Sequence, residues 1–457
     1  MRSGKNLSCF KAYDIRGKLG DELDEDIAYR VGRATAQSLN SKTVAVGFDA
    51  RPTSPDLAGA VAKGICDAGA NVLGIDLAGT EEMYAAVTEF EACAGVEVTA
   101  SHNPIDYNGM KIVGRGSKPL SDNEFKRIKD LAEENNFSQS EQTGAVFDKR
   151  EAARAAYVEK VMGFVDCASL KPFKVIINSG NGAAGPTVDA INKKLKEKGV
   201  KTNFVFVHHD PDPTFPNGIP NPLLEDNRSS TASAIIAENA DFGVAFDGDF
   251  DRCFFFDHTG GFIPGEYMVG LLAEVFLNKE KGATIIHDPR VFWNTINVVD
   301  KCGGQAVASK TGHAFVKAAM RTSDAIYGGE MSAHHYFRDF AYCDSGIIPW
   351  LLVWEYLSIS NFSLSDLILE QKNHFPSSGE LNFTVLNAET CMERVESHFA
   401  SKATSIDRLD GLSMSFHTWR FNLRKSNTEP LVRLNVETKG DTALLKEKTN
   451  ELKLLIN

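Results

Sequence analysis

GVEVTASHNPIDYNGMKIV, residues 95–113, starts as a short apolar run, breaks into a polar loop, and returns as a second strand-like run, MKIV. The same order recurs twice. DFGVAFDGDFDR leads into CFFF, and AIYGGEMSAHH leads into HYF. Upstream of each lie two more strand-like runs separated by a helix-like stretch. The first of these are TVAVGFDAR from Thr43, FKVIINSGNG from Phe173 and ATIIHDPR from Ala283. The second are NVLGIDL, NFVFVHH and GQAVASKTGH. Short β-branched runs that end in Gly, Asp or Asn are the form of buried parallel strands. Alternation with helical patterns predicts α/β domains with mixed, mainly parallel sheets. Residue identity among the three copies is negligible, so the repeat lies in the order of elements.

The last ~85 residues follow another plan. GELNFTV reads as a strand, Glu389 to Ala400 as a helix, LSMSFHTWRFNL as one alternating strand, LVRLNVET as another, and Thr442 to Leu455 as an amphipathic helix. The expected architecture is three similar α/β domains, 1–150, 151–258 and 259–370, and a smaller α+β domain, 371–457, around a central cleft. A chain of 457 residues is long enough for several cores.

Composition narrows the function. The formal charge is −12, which argues against nonspecific binding to nucleic acid or anionic membrane. The longest apolar run, Ile347 to Leu357, contains Pro349 and Glu355 and falls short of the ~20 residues of a membrane span. The eight cysteines are scattered, with no CxxC pair, as in a reduced, cytoplasmic protein. MRSGKNLSCFKAYDIRG lacks the apolar run of a secretory signal.

Ligands of open α/β sheets gather beyond the carboxyl ends of strands, so the polar loops carry the chemistry. DGDFDR places Asp247, Asp249 and Asp251 at alternate positions with Arg252 beside them. An EF-hand is excluded, because its sixth position would be Arg252 and its twelfth His258. Three carboxylates offer only oxygen, which suits a hard cation, and Mg²⁺ where phosphate is handled. In TASHNP, Ser101 is no hydrolase nucleophile elbow, since Thr99 and Asn103 stand at the glycine positions. It is either a turn residue or a phosphoryl carrier whose phosphate meets the metal of the three-aspartate loop. Lys111 and His102 lie close by in sequence. GGEMSAHH offers Glu330, Ser332 and His334 in alternation, on one face if the backbone is extended. That set suits sugar hydroxyls, or else is a polar hairpin tip. RKSNTEPLVR, Arg424 to Arg433, is a phosphate cradle or a charged surface turn.

Together and in this order the loops resemble those of the α-D-phosphohexomutase superfamily along the whole chain. TASHNP is similar to its phosphoserine loop, DGDFDR to its metal loop, GGEMSAH to its sugar loop and RKSNTEP to its phosphate loop. GEMS followed by histidine resembles the phosphomannomutase and phosphomannomutase/phosphoglucomutase branch. The resemblance implies interconversion of mannose 6-phosphate and mannose 1-phosphate, on the way to GDP-mannose, through a hexose 1,6-bisphosphate that turns end for end. Hexose 1,6-bisphosphate would also serve as activator. Ser101 would carry the phosphoryl group and complete the Mg²⁺ shell of Asp247, Asp249 and Asp251. Arg16, Lys111 and Arg252 would surround that group, with His102 or Lys111 as acid and base. Glu330 and Ser332 would bind the sugar, near His334. Arg424, Ser426, Asn427, Thr428 and Arg433 would hold the distal phosphate. Tyr13, Arg290, Gly312 and His313 are fainter matches. Phe250, Ala100 and Ala333 stand where the superfamily often has glycine. Closure of the last domain over the intermediate is expected. A glucose-preferring or dual-specificity mutase, a sugar phosphatase and a noncatalytic sensor would use the same residues.

Overall fold

The computed structural model describes residues 6–425 and 431–456. The chain forms two compact units, residues 1–262 with 339–361, and residues 263–338 with 362–457.

The first unit holds two sheets. In the first, the strands run in the spatial order Ile15–Lys18, Tyr107–Gly114, Ala94–Val98, Thr43–Phe48, Asn71–Leu77, Val146–Asp148. Thr43–Phe48 is parallel to both its neighbours, and Tyr107–Gly114 is antiparallel to Ala94–Val98. The second sheet repeats this arrangement. Lys174–Asn178 is central and parallel to Asn203–Val207 and Phe242–Phe246, and Cys253–Asp257 pairs antiparallel with the latter. In the second unit, Thr284–His287 is parallel to Gln305–Ala308 and Tyr327–Gly329, with His335–Phe337 antiparallel beyond. All three copies therefore place the first strand at the centre. In each, the third and fourth strands form a hairpin whose loop is one of the polar stretches, 99–106, 247–252 or 330–334. The threefold repeat stands as the order of elements predicts.

Residues 347–360, inside the third sequence segment, group with the first unit. They form the helix Ile347–Ser360, apolar on every side and buried. Trp350 and Trp354 pack edge-on against Phe204, and the Trp354 indole N–H donates to the Lys171 carbonyl at 2.7 Å. An all-apolar helix is a core helix when neighbours surround it. Truncating either tryptophan to alanine would cost about 3–5 kcal/mol. No single helix among the described residues is long and apolar enough to cross a membrane.

The last domain is an antiparallel sheet in the order Ser377–Thr384, Leu431–Thr438, Trp419–Lys425, Leu412–Ser415, Ser405–Asp407. The expected single strand LSMSFHTWRFNL is a hairpin instead. The Phe416 N–H reaches the Trp419 carbonyl at 2.8 Å, and the two rings stack with centroids 4.1 Å apart. Alternation of side chains splits this sheet into two faces. Leu381, Phe383, Leu423, Val432, Leu434 and Val436 face an apolar core shared with helices Ala388–Phe399 and Thr442–Ile456. The other face carries Glu380, Arg420, Asn422, Arg424, Arg433, Asn435 and Glu437.

That polar face is tied to the third domain. Arg420 pairs with Glu437 at 2.7 Å and donates to the carbonyls of Pro289 and Arg290. Glu437 accepts the N–H groups of Phe292 and Trp293, each at 3.0 Å, at the start of helix Trp293–Cys302. Both charged side chains are fully buried. Hinging of the last domain away from the third would break the bonds of Arg420 to the Pro289 and Arg290 carbonyls and those of Glu437 to the Phe292 and Trp293 N–H groups.

Candidate active site

In the first unit the 99–106 and 247–252 loops meet. Ser101 is buried and has a left-handed backbone, φ 51°, which costs a non-glycine residue energy and marks sites held in place by their surroundings. What holds it is visible. The Thr99 hydroxyl accepts the Ser101 N–H at 2.8 Å and donates to Asp49 at 2.7 Å. Arg51, itself buried, donates to the carbonyls of Ser101, Asn103, Pro104 and Tyr107. On the other side Gly248 leaves the room through which the two loops approach. The Ser101 hydroxyl donates to Asp247 at 2.7 Å, lies 3.1 Å from His102 Nδ1, and accepts from Arg252 at 3.2 Å. Arg252 also bonds Asp247 through Nε and Nη2 and touches His102 Nδ1. Arg16 donates to Asn103 at 2.7 Å. Tyr13 is half-buried in the turn before Ile15–Lys18.

Asp247, Asp249 and Asp251 each bring an oxygen within 4.8 Å of the others, all buried. Asp247 and Asp249 each keep a second buried oxygen with no hydrogen-bond partner among the described residues. Orphaned buried carboxylate oxygens are costly, and a hard divalent cation is the group whose ligand needs they fit. Burial pushes the Asp247 carboxyl up to about 6, against the pull of Arg252. Burial acts on Asp249 in the same direction, but the Lys111 ammonium 2.7 Å away outweighs it and holds that carboxyl below the usual range. Lys111 also bonds Asp251. Thr80 donates its hydroxyl to Asp249 at 2.6 Å. Phe250 takes φ 45°, and its ring fills the space where a Gly79 side chain would stand. The sequence departure at Phe250 is thus matched by the glycine at 79. Ala333 likewise has φ 69°, whereas Ala100 needs no left-handed backbone.

The second unit gathers another set. Arg290 pairs with Asp288 at 2.8 Å and lies 3.8 Å from Glu330. Glu330 is buried and accepts from the Gly312 N–H at 2.8 Å and the Tyr336 hydroxyl at 2.5 Å. The backbone here is not extended, so Glu330, Ser332 and His334 do not share one face in the way an extended strand would place them. The segment is a tight turn, closed by Ala333 N–H to Glu330 carbonyl and Glu330 N–H to His334 carbonyl. Glu330 points inward, while Ser332 and His334 are half-buried. His313 begins helix His313–Ser323. Arg424 and Arg433 are cross-strand partners, and both bond Glu380. Ser426, Asn427 and Thr428 lie outside the described residues.

The sequence profiles of the phosphoglucomutase/phosphomannomutase family match four times: alpha/beta/alpha domain I over residues 8–139, domain II over 155–261, domain III over 264–375 and the C-terminal domain over 380–453. The chain belongs to this family. A phosphomannomutase of Escherichia coli K12 is 54% identical over 454 residues, covering 99% of this chain and 100% of the relative. One from Vibrio cholerae is 55% identical over 459 residues, covering 99% of each. A solved phosphoglucomutase/phosphomannomutase family protein from Burkholderia thailandensis superimposes with TM-score 0.87 at 30% identity, covering 98% of this chain and 97% of that one.

Among the residues of this family member that the motifs did not single out, Arg51, Asp49 and Thr80 support the serine and metal loops, and Asp288 and Glu380 engage the arginines of the second unit. Asp49 and Arg51 had a signal, since both stand at the end of a parallel strand in TVAVGFDAR. Glu380, in a strand far from every polar loop in sequence, had none.

Proposed function

We propose that this chain is a phosphomannomutase: it interconverts mannose 6-phosphate and mannose 1-phosphate with Ser101 as phosphoryl carrier. The observation that carries the reading is the Ser101 hydroxyl, held in a strained left-handed backbone between Asp247 and Arg252. The names of relatives at 54–55% identity over nearly their whole length support the mannose assignment.

In the forward half-reaction the Ser101 Oγ–P bond breaks and a bond from a sugar hydroxyl to phosphorus forms. The hydroxyl proton passes to a base, and the serine oxygen keeps the electron pair of the broken bond. Arg252, within reach of that oxygen, balances the charge, as a preorganised donor in a dry site does well. His102, with Nδ1 3.1 Å from Oγ, and Lys111 are the candidates for moving the proton. Asp247, Asp249 and Asp251 would hold Mg²⁺, which when bound neutralises phosphoryl charge. The hexose 1,6-bisphosphate then turns end for end, and its other phosphate returns to Ser101. Added bisphosphate would recharge any Ser101 that loses its phosphate. Arg424 and Arg433 would hold the phosphate that is not reacting, and Glu330, Ser332 and His334 would meet the sugar. The product would feed GDP-mannose synthesis.

Relatives at 50% identity from Xanthomonas campestris carry the name phosphohexose mutases, which favours dual specificity as the second reading. The test is ³¹P NMR of the protein with Mg²⁺ and a trace of glucose 1,6-bisphosphate, given mannose 1-phosphate and glucose 1-phosphate. Fast conversion of the mannose ester alone supports the first reading, and equal rates support the second. Release of inorganic phosphate, or no reaction, defeats both.

A further inference from the structure

Glu380 sits where three arginines converge. Its two oxygens accept from Arg424 at 3.0 Å and Arg433 at 3.1 Å, with Arg290 at 3.5 Å. The placement is built by the backbone. The strand Ser377–Thr384 has a register shift between Ser377 and Glu380, with Gly379 at φ 63°. A bulge of this kind re-aims the side chain that follows it. The bulge is pinned on both sides: Asn435 donates to the Gly379 carbonyl at 3.0 Å, and the Val436 N–H to Ser378 Oγ at 2.9 Å.

Arg290 does not need Glu380 as its anchor, because Asp288 already holds it at 2.8 Å. Arg424 and Arg433 stand side by side on neighbouring strands, like charges whose repulsion an anion between them relieves. Burial and the nearby Arg290 both push the Arg424 guanidinium below its ordinary range, so an anion there is strongly favoured.

We infer that Glu380 is a resident anion of the distal phosphate site: the substrate's phosphate must displace or share it, so the grip of the arginines is held below its maximum. The inference rests on the reading of Arg424 and Arg433 as phosphate holders. Its chemical sense follows from the reaction. Tight, uniform binding of substrate does not speed the chemical step. An intermediate that must exchange its two ends needs a phosphate site that lets go. A carboxylate beside a phosphate dianion supplies repulsion during occupancy and a replacement partner for the arginines on release.

The test uses the full chain carrying Ser101→Ala, so that no transfer occurs, and calorimetric titration with mannose 1-phosphate. Three further changes are compared: Arg424→Gln, Glu380→Gln and Glu380→Ala. The expected result is about tenfold weaker binding for Arg424→Gln and about tenfold tighter binding for both Glu380 variants. With Ser101 restored, Glu380→Gln should lower KM and kcat together. If Arg424→Gln weakens binding while both Glu380 variants weaken it or leave it unchanged, Glu380 merely props the arginines, and the inference falls while the phosphate site stands. If none of the three alters affinity, the phosphate reading fails and takes the inference with it.

Discussion

A side chain on Gly248 would place its Cβ 2.6 Å from the Ser101 carbonyl oxygen. The serine loop and the metal loop therefore touch backbone to backbone, and no rotamer can relieve a clash there. Gly248→Ala must separate the loops by a substantial fraction of an ångström. Misplacement on that scale costs about 100-fold in rate. Turnover should fall by that amount while the thermal midpoint moves little. Unchanged turnover would show that the 2.7 Å contact of Ser101 with Asp247 is not needed for transfer.

Arg51 organises the serine loop through four carbonyls and lies 3.5 Å from buried Asp49. Lysine has one ammonium and no fork, so it cannot replace those bonds. Breaking a buried pair of this kind costs about 3–5 kcal/mol. Arg51→Lys should lower stability in urea by that order and abolish labelling of Ser101 by a sugar bisphosphate, read by mass spectrometry.

Thr80 orients Asp249 from behind. Partners behind a ligand are worth about 10–100-fold in metal affinity. Thr80→Val, close in shape, should weaken Mn²⁺ binding by that factor, measured by electron paramagnetic resonance. Equal affinity in the two proteins would mean Asp249 needs no such support.

The two candidates for the proton carrier can be separated. His102→Gln and Lys111→Met each remove one candidate. The variant lacking the true carrier should lose about 100-fold or more in kcat. The same variant should also lose one limb of the pH–rate profile, whereas loss of a purely electrostatic contact leaves the limb in place.

His335 makes a stability prediction. Its imidazole is fully buried, with Nδ1 2.7 Å from the Tyr327 hydroxyl and no partner on Nε2 among the described residues. Burial, with a smaller contribution from neighbouring His334, lowers its pKa to about 3. In the unfolded chain it titrates near ~6.5. Between these values the unfolded state binds the extra proton. Stability is therefore fully present above pH ~6.5 and is lost at about 1.4 kcal/mol per unit as pH falls below it. His335→Asn, whose side-chain carbonyl can still accept from Tyr327, should remove that slope between pH 6.5 and 5. Parallel pH curves for the two proteins would refute it.

The α/β repeats were legible because buried parallel strands leave dense β-branched runs, and because hairpin loops that carry chemistry are polar amid apolar sequence. Ser101 and the three aspartates stood out for that reason. At 330–334 the sequence left a one-face extended set and a hairpin tip both open, since alternation of Glu, Ser and His looks alike in a strand and in a turn until Ala333 takes a left-handed conformation. LSMSFHTWRFNL hid its hairpin because His417 and Thr418 are not the usual turn residues. Arg51 and Glu380 act on partners 44 to 90 residues away, and one sequence carries no record of such pairings.

Glu437 caps, from the last domain, a helix that belongs to the third. The two are separate in sequence but not separable as parts. A gene truncated near residue 375 would leave Arg290 and Pro289 carbonyls without Arg420, and two helix-end N–H groups without their carboxylate. The C-terminal domain thus cannot be gained, lost or swapped as a cassette without rewriting the neighbour it finishes, and any recombination that respects this fold must carry the two together.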